Sequence, residues 1–137
     1  MRAITKLFGL FFISLLVTAC ATTPFKVAEK YDLDNELQQA TEIISYRIDG
    51  WESVDNQSLI IQTNVNDYYL VVLDRPATSL PFSESIGITL TADRVKPGYE
   101  NIIVADSYGV ESYIIHRLYR LKDRDQATEI KKRIRGN

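Results

Sequence analysis

His116 is the only histidine in this 137-residue chain and Cys20 its only cysteine, so the catalytic chemistry open to it is narrow. A nucleophile, histidine and carboxylate set would have to use His116. That residue lies in Tyr113-Ile114-Ile115-His116-Arg117, which reads as the middle of a strand. No Gly-x-Ser-x-Gly elbow occurs, and one histidine with one cysteine cannot build a metal centre rich in those ligands. Carboxylates are plentiful: Asp49 and Glu52 flank Trp51, and Asp67 precedes Tyr68-Tyr69. A glycan hydrolase would need two of them roughly 5 to 9.5 Å apart across a cleft, whereas acids beside turns ordinarily face water. Asn64-Val65-Asn66-Asp67 lacks the spacing and closing Glu of a calcium loop, and reads as a turn. The expectation is a protein that is not an enzyme and carries no cofactor.

Cys20 has a different use. Arg2 and Lys6 precede an apolar run from Leu7 to Val17, followed by Thr18-Ala19-Cys20. Basic residues, an apolar stretch and small residues before a cut form a secretory signal, and the run is shorter than the ~20 residues of a spanning helix. Val17-Thr18-Ala19-Cys20 resembles the lipobox of bacterial lipoproteins, in which cleavage falls between the residues here numbered Ala19 and Cys20 and the new N-terminal cysteine carries acyl chains such as palmitate. Acylation also accounts for an unpaired cysteine in an exported chain. Each buried methylene contributes about 0.8 kcal/mol, and more than one chain is needed for a permanent anchor. Ala21 stands where an Asp often retains such proteins at the inner membrane, so the expected location is the outer membrane, facing the periplasm.

Removing residues 1–19 leaves 118, enough for one core. The division expected is a lipidated tether over 20–31 and a single domain over 32–137, with no disulfide within the monomer. Charge is unevenly spread. From Cys20 to Ile115 there are 6 Lys and Arg against 15 Asp and Glu; from His116 onward there are 8 against 3. The preferred reading is that these late cations, Arg117, Arg120, Lys131, Lys132 and Arg133 among them, pair with the acidic body and suit a helix C-terminus. The sharper alternative is contact with an envelope protein or an anionic surface. No nucleic-acid motif is present, and no such partner is expected.

The elements that would position these residues are mostly strands. Asp32 or Asp34 could cap a short helix through Glu36–Ala40. From Ile43 the period becomes two, with Ile44, Tyr46 and Ile48 on one face. Extended Trp51 to Val54 follows Gly50. After the Asp55-Asn56 turn come strands at Leu59 to Thr63 and Tyr68 to Leu73, the latter apolar on both faces and therefore central. Arg75 to Ser85 is a loop, and Ile86 to Leu90 and Asn101 to Val104 are weaker strands. Ser112 to Leu121 is a long last strand. A helix from Asp125, its expected cap, to Arg135 aligns Ala127, Ile130 and Ile134. The fold class is therefore mainly β: a curled antiparallel sheet of five or six strands, a meander at its start, with a C-terminal helix and a short N-terminal one. Closure into a barrel stays open at this level.

Eight tyrosines and one tryptophan supply the one positive hint of a ligand surface. Trp51, Tyr68 and Tyr69 lie on adjoining strands, and such side chains enrich binding surfaces, although they are equally good strand formers. With the late cations they make up the candidate binding surface.

Arg47-x-x-x-Trp51, the Asp55-Asn56 turn with Leu59, Thr63, Tyr69-Leu70, Leu73, the Leu80 to Ile86-Gly87 segment, Gly98 and Ile115-x-x-Leu118 together resemble the domain-of-unknown-function family 6491, small bacterial lipoproteins of unassigned activity. The resemblance implies a periplasmic domain and supplies no catalytic residue. Members often carry two cysteines, one in the long loop and one opening the last strand; Ala77 and Tyr113 stand there in this chain, so a loop-pinning disulfide, if the family uses one, is replaced here by packing. Taken together, the reading is a non-enzymatic envelope lipoprotein, a β-rich binding or accessory module. The alternatives are a carrier of a small apolar ligand and a carboxylate-based glycan hydrolase.

Overall fold

A computed structural model describes residues 26–44 and 47–136. The signal, Ala19, Cys20, the first half of the expected tether and Tyr46 lie outside the described residues. In chain order the elements are β1 (Gln38–Gln39), β2 (Ile43–Ile44), β3 (Gly50–Ser53), β4 (Ser58–Asn64), β5 (Asp67–Leu73), β6 (Ile86–Ile88), β7 (Arg94–Val95), β8 (Asn101–Asp106), β9 (Gly109–Leu121) and α1 (Arg124–Arg135). All pairs are antiparallel. The main sheet runs β3-β4-β5-β9-β8-β6 and curls into a half-barrel, with β1 added beside β9. The consecutive strands β3, β4 and β5 form the expected meander.

Pleating sorts the apolar residues onto two faces. Leu59, Ile61, Tyr69, Val71, Leu73, Ile102, Val104, Tyr113, Ile115 and Leu118 fill the concave side, where Ile43, Ala77, Leu80 and Val95 from the connecting segments pack over them. Ile60, Leu70, Val72, Tyr119 and Leu121 form the outer face, covered by Ala127, Ile130 and Ile134 of α1 and by Tyr31, Leu33 and Leu37. β5 is thus buried on both sides, as its composition predicts.

β9 joins the two ends of the sheet. Its C-terminal half pairs with β5, and its N-terminal half with β8. Between them the register shifts: Val72 faces Arg117, yet Leu73 faces Ile115, which leaves His116 as a bulge residue. His116 is exposed there.

Three expectations need correction. Residues 36–40 form no helix: a single turn closes from Leu37 N–H to the Leu33 carbonyl (2.8 Å), and Gln38-Gln39 then pair with Arg120 and Tyr119. So short a helix is marginal alone, and bonds to β9 replace it. Asp32 and Asp34 accept from Arg117 instead of capping. In β2, Ile43 is buried and Ile44 is 71% exposed, the reverse of the expected parity, because β2 pairs only with β7 and turns Ile43 over the concave core. The cap of α1 is Asp123, whose side chain accepts from Gln126 N–H (2.8 Å) while the Gln126 amide oxygen accepts from Lys122 N–H (2.6 Å). Asp125 falls inside the first turn, where its charge suits the helix N-terminus. Gly136, at φ 79°, ends the helix in a left-handed conformation.

The N-terminal segment is bound by polar contacts as well as apolar ones. Asp55 accepts from Lys30 Nζ (2.6 Å), the Tyr31 hydroxyl (2.6 Å), Gln57 N–H (2.9 Å) and the Ser58 hydroxyl (2.8 Å). Burial pushes the Asp55 carboxyl up, but these donors outweigh it and hold the group below the usual carboxylate range. The buried Tyr119 hydroxyl accepts from Leu33 N–H (3.1 Å) and donates to Asp34 Oδ1 (2.8 Å). Tyr31 is fully buried, so the far end of the stretch read as a tether belongs to the folded body. The loop after β5 is fixed without a disulfide. Ala77 and Tyr113 are both buried in the concave core, Asp74 exchanges two bonds with the Ile114 backbone (2.9 and 3.0 Å), and the Arg75 guanidinium sits 4.5 Å from the centre of the Tyr113 ring.

Ile130→Ala is expected to lower unfolding free energy by about 2–5 kcal/mol in a denaturant titration, since α1 has no other buried leucine-sized anchor at its centre. Asp55 has a folded pKa below its unfolded value, so its contribution is complete at neutral pH and disappears as pH falls below about 4. Asp55→Asn should cost about 1.5–3 kcal/mol at neutral pH and reduce the acid dependence of stability, measured as denaturation midpoint against pH.

Candidate binding surface

Among the described residues, the outer face of the sheet is covered over only half its length. Beyond the His116 bulge neither α1 nor the N-terminal segment reaches it, and β8 and β9 present paired side chains outward: Asn101 with Ile114, Ile103 with Ser112, and Ala105 with Val110. Alternate pairs, Ile102 with Tyr113 and Val104 with Glu111, turn toward the concave side. None of the six outward residues is charged, although a quarter of the chain is. Val110 is 70% and Ile114 43% exposed. A solvated face of an antiparallel sheet ordinarily carries mostly polar residues; here only Asn101 and Ser112 are polar, beside Ile103, Ala105, Val110 and Ile114. On β6, Gly87 opposes Ile103, and a Cβ there would come 3.2 Å from the Ile103 Cβ, so glycine lets the isoleucine lie across the strand.

The face ends in an aromatic tip. Tyr108, in the β8–β9 turn, is 99% exposed, and Phe82, in the short 3-10 turn at Leu80–Phe82, is 87% exposed. Both line one open hollow. Asp106 fixes their relation: one oxygen accepts from Tyr108 N–H (2.7 Å) and Gly109 N–H (3.1 Å), and the other accepts from the Ser79 hydroxyl of the Phe82 loop. The Ser79 bond, followed by the Tyr108 amide, holds the Asp106 carboxyl below its ordinary range. Sequence reasoning missed Phe82, Tyr108 and Val110. The available signal was the uncharged alternation Asn101-x-Ile103-x-Ala105 facing Val110-x-Ser112-x-Ile114.

The structure separates the residues expected to form a surface. Tyr68 and Tyr69 point to opposite faces, Tyr69 into the concave core and Tyr68 against the outer cluster. Trp51 is half-buried against the concave core. Trp51, Tyr68 and Lys131 do border one open cleft of about 710 Å³ between α1 and the β3–β4 side, where Lys131 forms an ion pair with Glu52. The other cations are also taken up by the acidic body: Arg117 by Asp32 (3.1 Å) and Asp34 (3.0 Å), Arg120 by Asp67 (3.0 Å), and Arg133 by Glu36. Arg120 also lies 6.0 Å from the Tyr69 ring centre. Lys132, with Lys122 and Arg124, has no ion pair among the described residues.

Catalytic geometry is sparse. Among the described residues no three His, Cys, Asp or Glu side chains converge on a metal position. The carboxyls with displaced acidity, Asp55, Glu100 and Asp106, all move toward the ionised form, opposite to what a general acid needs. Glu100 does so mainly through hydrogen bonds from Thr89 and Thr91. No helix among the described residues is long and apolar enough to cross a membrane.

No curated protein and no solved structure matches the chain. A family profile does, over residues 3–137. Spanning nearly the whole sequence, that match carries both the meander and the two-part last strand, and the chain belongs to the Family of unknown function (DUF6491).

Proposed function

We propose that this chain is a non-enzymatic bacterial envelope lipoprotein, anchored through Cys20 and facing the periplasm from the outer membrane, whose folded body acts by docking. The observation that carries the reading is the uncharged, uncovered β8–β9 face with its fixed aromatic tip. Contiguous exposed apolar surface on a small domain marks a contact site. The ordered signal and lipobox residues support the anchor. The engaged, ionised carboxylates support a body without acid–base chemistry. The carrier alternative finds no support in the concave side, which Ile43, Ala77, Leu80 and Val95 fill.

Mass spectrometry of the membrane fraction should find the mature chain starting at an acylated Cys20. Cys20→Ser should leave a full-length or soluble protein; normal processing of that variant would overturn the anchor. A photo-crosslinking residue in place of Ser112 should capture a neighbouring molecule in cells, and the same residue in place of Thr128 on α1 should not. Equal capture from both positions would remove the face as the docking site.

A further inference from the structure

We propose that the β8–β9 face lies flat on the lipid bilayer that holds the Cys20 acyl chains. This deepens the docking reading and rests on it. The first argument is where the described chain begins. Val27 packs against the outer cluster, and Lys26 lines a cleft with His116 and Arg117, at the border between the covered and bare halves of β9. Ile114, the first residue of the bare face, is two residues from His116.

The second argument is length. Six Cα steps separate Cys20 from Lys26 and span about 20 Å at full extension. A folded body of this size is about 35 Å across. The anchor is therefore shorter than the body it holds, and the side beside Lys26 is the side that meets the headgroups. From His116 to Gly109 β9 covers about 23 Å at 3.3 Å per residue, so the bare face extends away from the attachment point alongside the bilayer.

The third argument is chemistry. Ala105, Val110 and Ile114 are exposed and apolar, with Ile103 half-buried beside them, and the tip offers Phe82 and Tyr108, aromatic side chains of the kind that settle at the headgroup level. Asp106 and Glu84 border the tip hollow, so the contact depends on apolar insertion and not on attraction to anionic lipid.

The test uses the thiol chemistry of the lipidated protein. Acylation blocks the Cys20 sulfur, so Val110→Cys, Ile114→Cys and Thr128→Cys each introduce one free thiol for an environment-sensitive fluorophore. The lipidated full-length variants are placed in phosphatidylethanolamine vesicles containing headgroup-level spin-labelled lipid. Fluorescence from positions 110 and 114 should be strongly quenched, with little change at high salt, and that from position 128 should keep its intensity. Acylated protein with all three positions unquenched would overturn the inference while leaving the anchor intact. So would quenching abolished by salt, or energy transfer from position 110 to a second copy. If the unsubstituted chain itself labels at Cys20, the anchor fails and the inference falls with it.

Discussion

β9 has to serve two environments with one run of thirteen residues. At its far end Leu118 enters the concave core while Tyr119 and Leu121 pack under α1 and the N-terminal segment, with Arg120 alone exposed. From Gly109 to Ile114 only Tyr113 is buried. Strict alternation from Tyr113 and Ile115 would send the Arg117 side chain into the apolar half-barrel, where an unpaired guanidinium is very costly. The extra residue at His116 resets the parity. Leu118 turns inward, and Arg117 turns outward to Asp32, Asp34 and the Tyr119 hydroxyl. The N-terminal segment is held by that cluster, and the position of α1 depends on Tyr119 and Leu121 lying on the same outer face. The bulge thus separates the covered half of the molecule from the bare half.

Much of this was legible in the residues. β4, β5 and the late part of β9 show their burial in runs of Leu, Ile, Val and Tyr, and Ala127, Ile130 and Ile134 announce the buried side of α1. Local pattern failed where distant partners decide. Residues 36–40 carry helix-forming types, but Gln38 and Gln39 meet an unpaired edge of β9, and that opportunity cannot be read from five residues. The Ile43-Ile44 parity is set by β7, fifty residues away. The candidate surface fared worse. Trp51, Tyr68 and Tyr69 were chosen by side-chain type, yet adjacent residues on a strand point apart. Phe82, Tyr108 and Val110 matter because no described residue covers them, a property of the assembled sheet.

The charge asymmetry of the chain turns out to be internal to the fold. Acids from residues 32–67 meet cations from residues 117–133, linking the N-terminal segment, β3 and β5 to β9 and α1 across long sequence separations. Exposed pairs of this kind each contribute little. Their combined effect is directional, because each joins a particular acid to a particular cation on a different element. Arg117, Arg120, Lys131 and Arg133 are paired in this way, while Lys122, Arg124 and Lys132 stay on the α1 side, away from the uncharged β8–β9 face.

An open half-barrel has two terminal strands, β3 and β6, and exposed backbone at such strands invites another chain to add on and grow into fibrils. At β3 the last residue of the helix intervenes. Arg135 donates to the carbonyls of Ser53 (3.0 Å), the last residue of β3, and of Val54 (2.7 Å) just beyond it, so its guanidinium occupies the end of that strand. β6 is only three residues long and offers a template too short to extend. The half-barrel therefore stays open while neither terminal strand offers a long, free template to another chain.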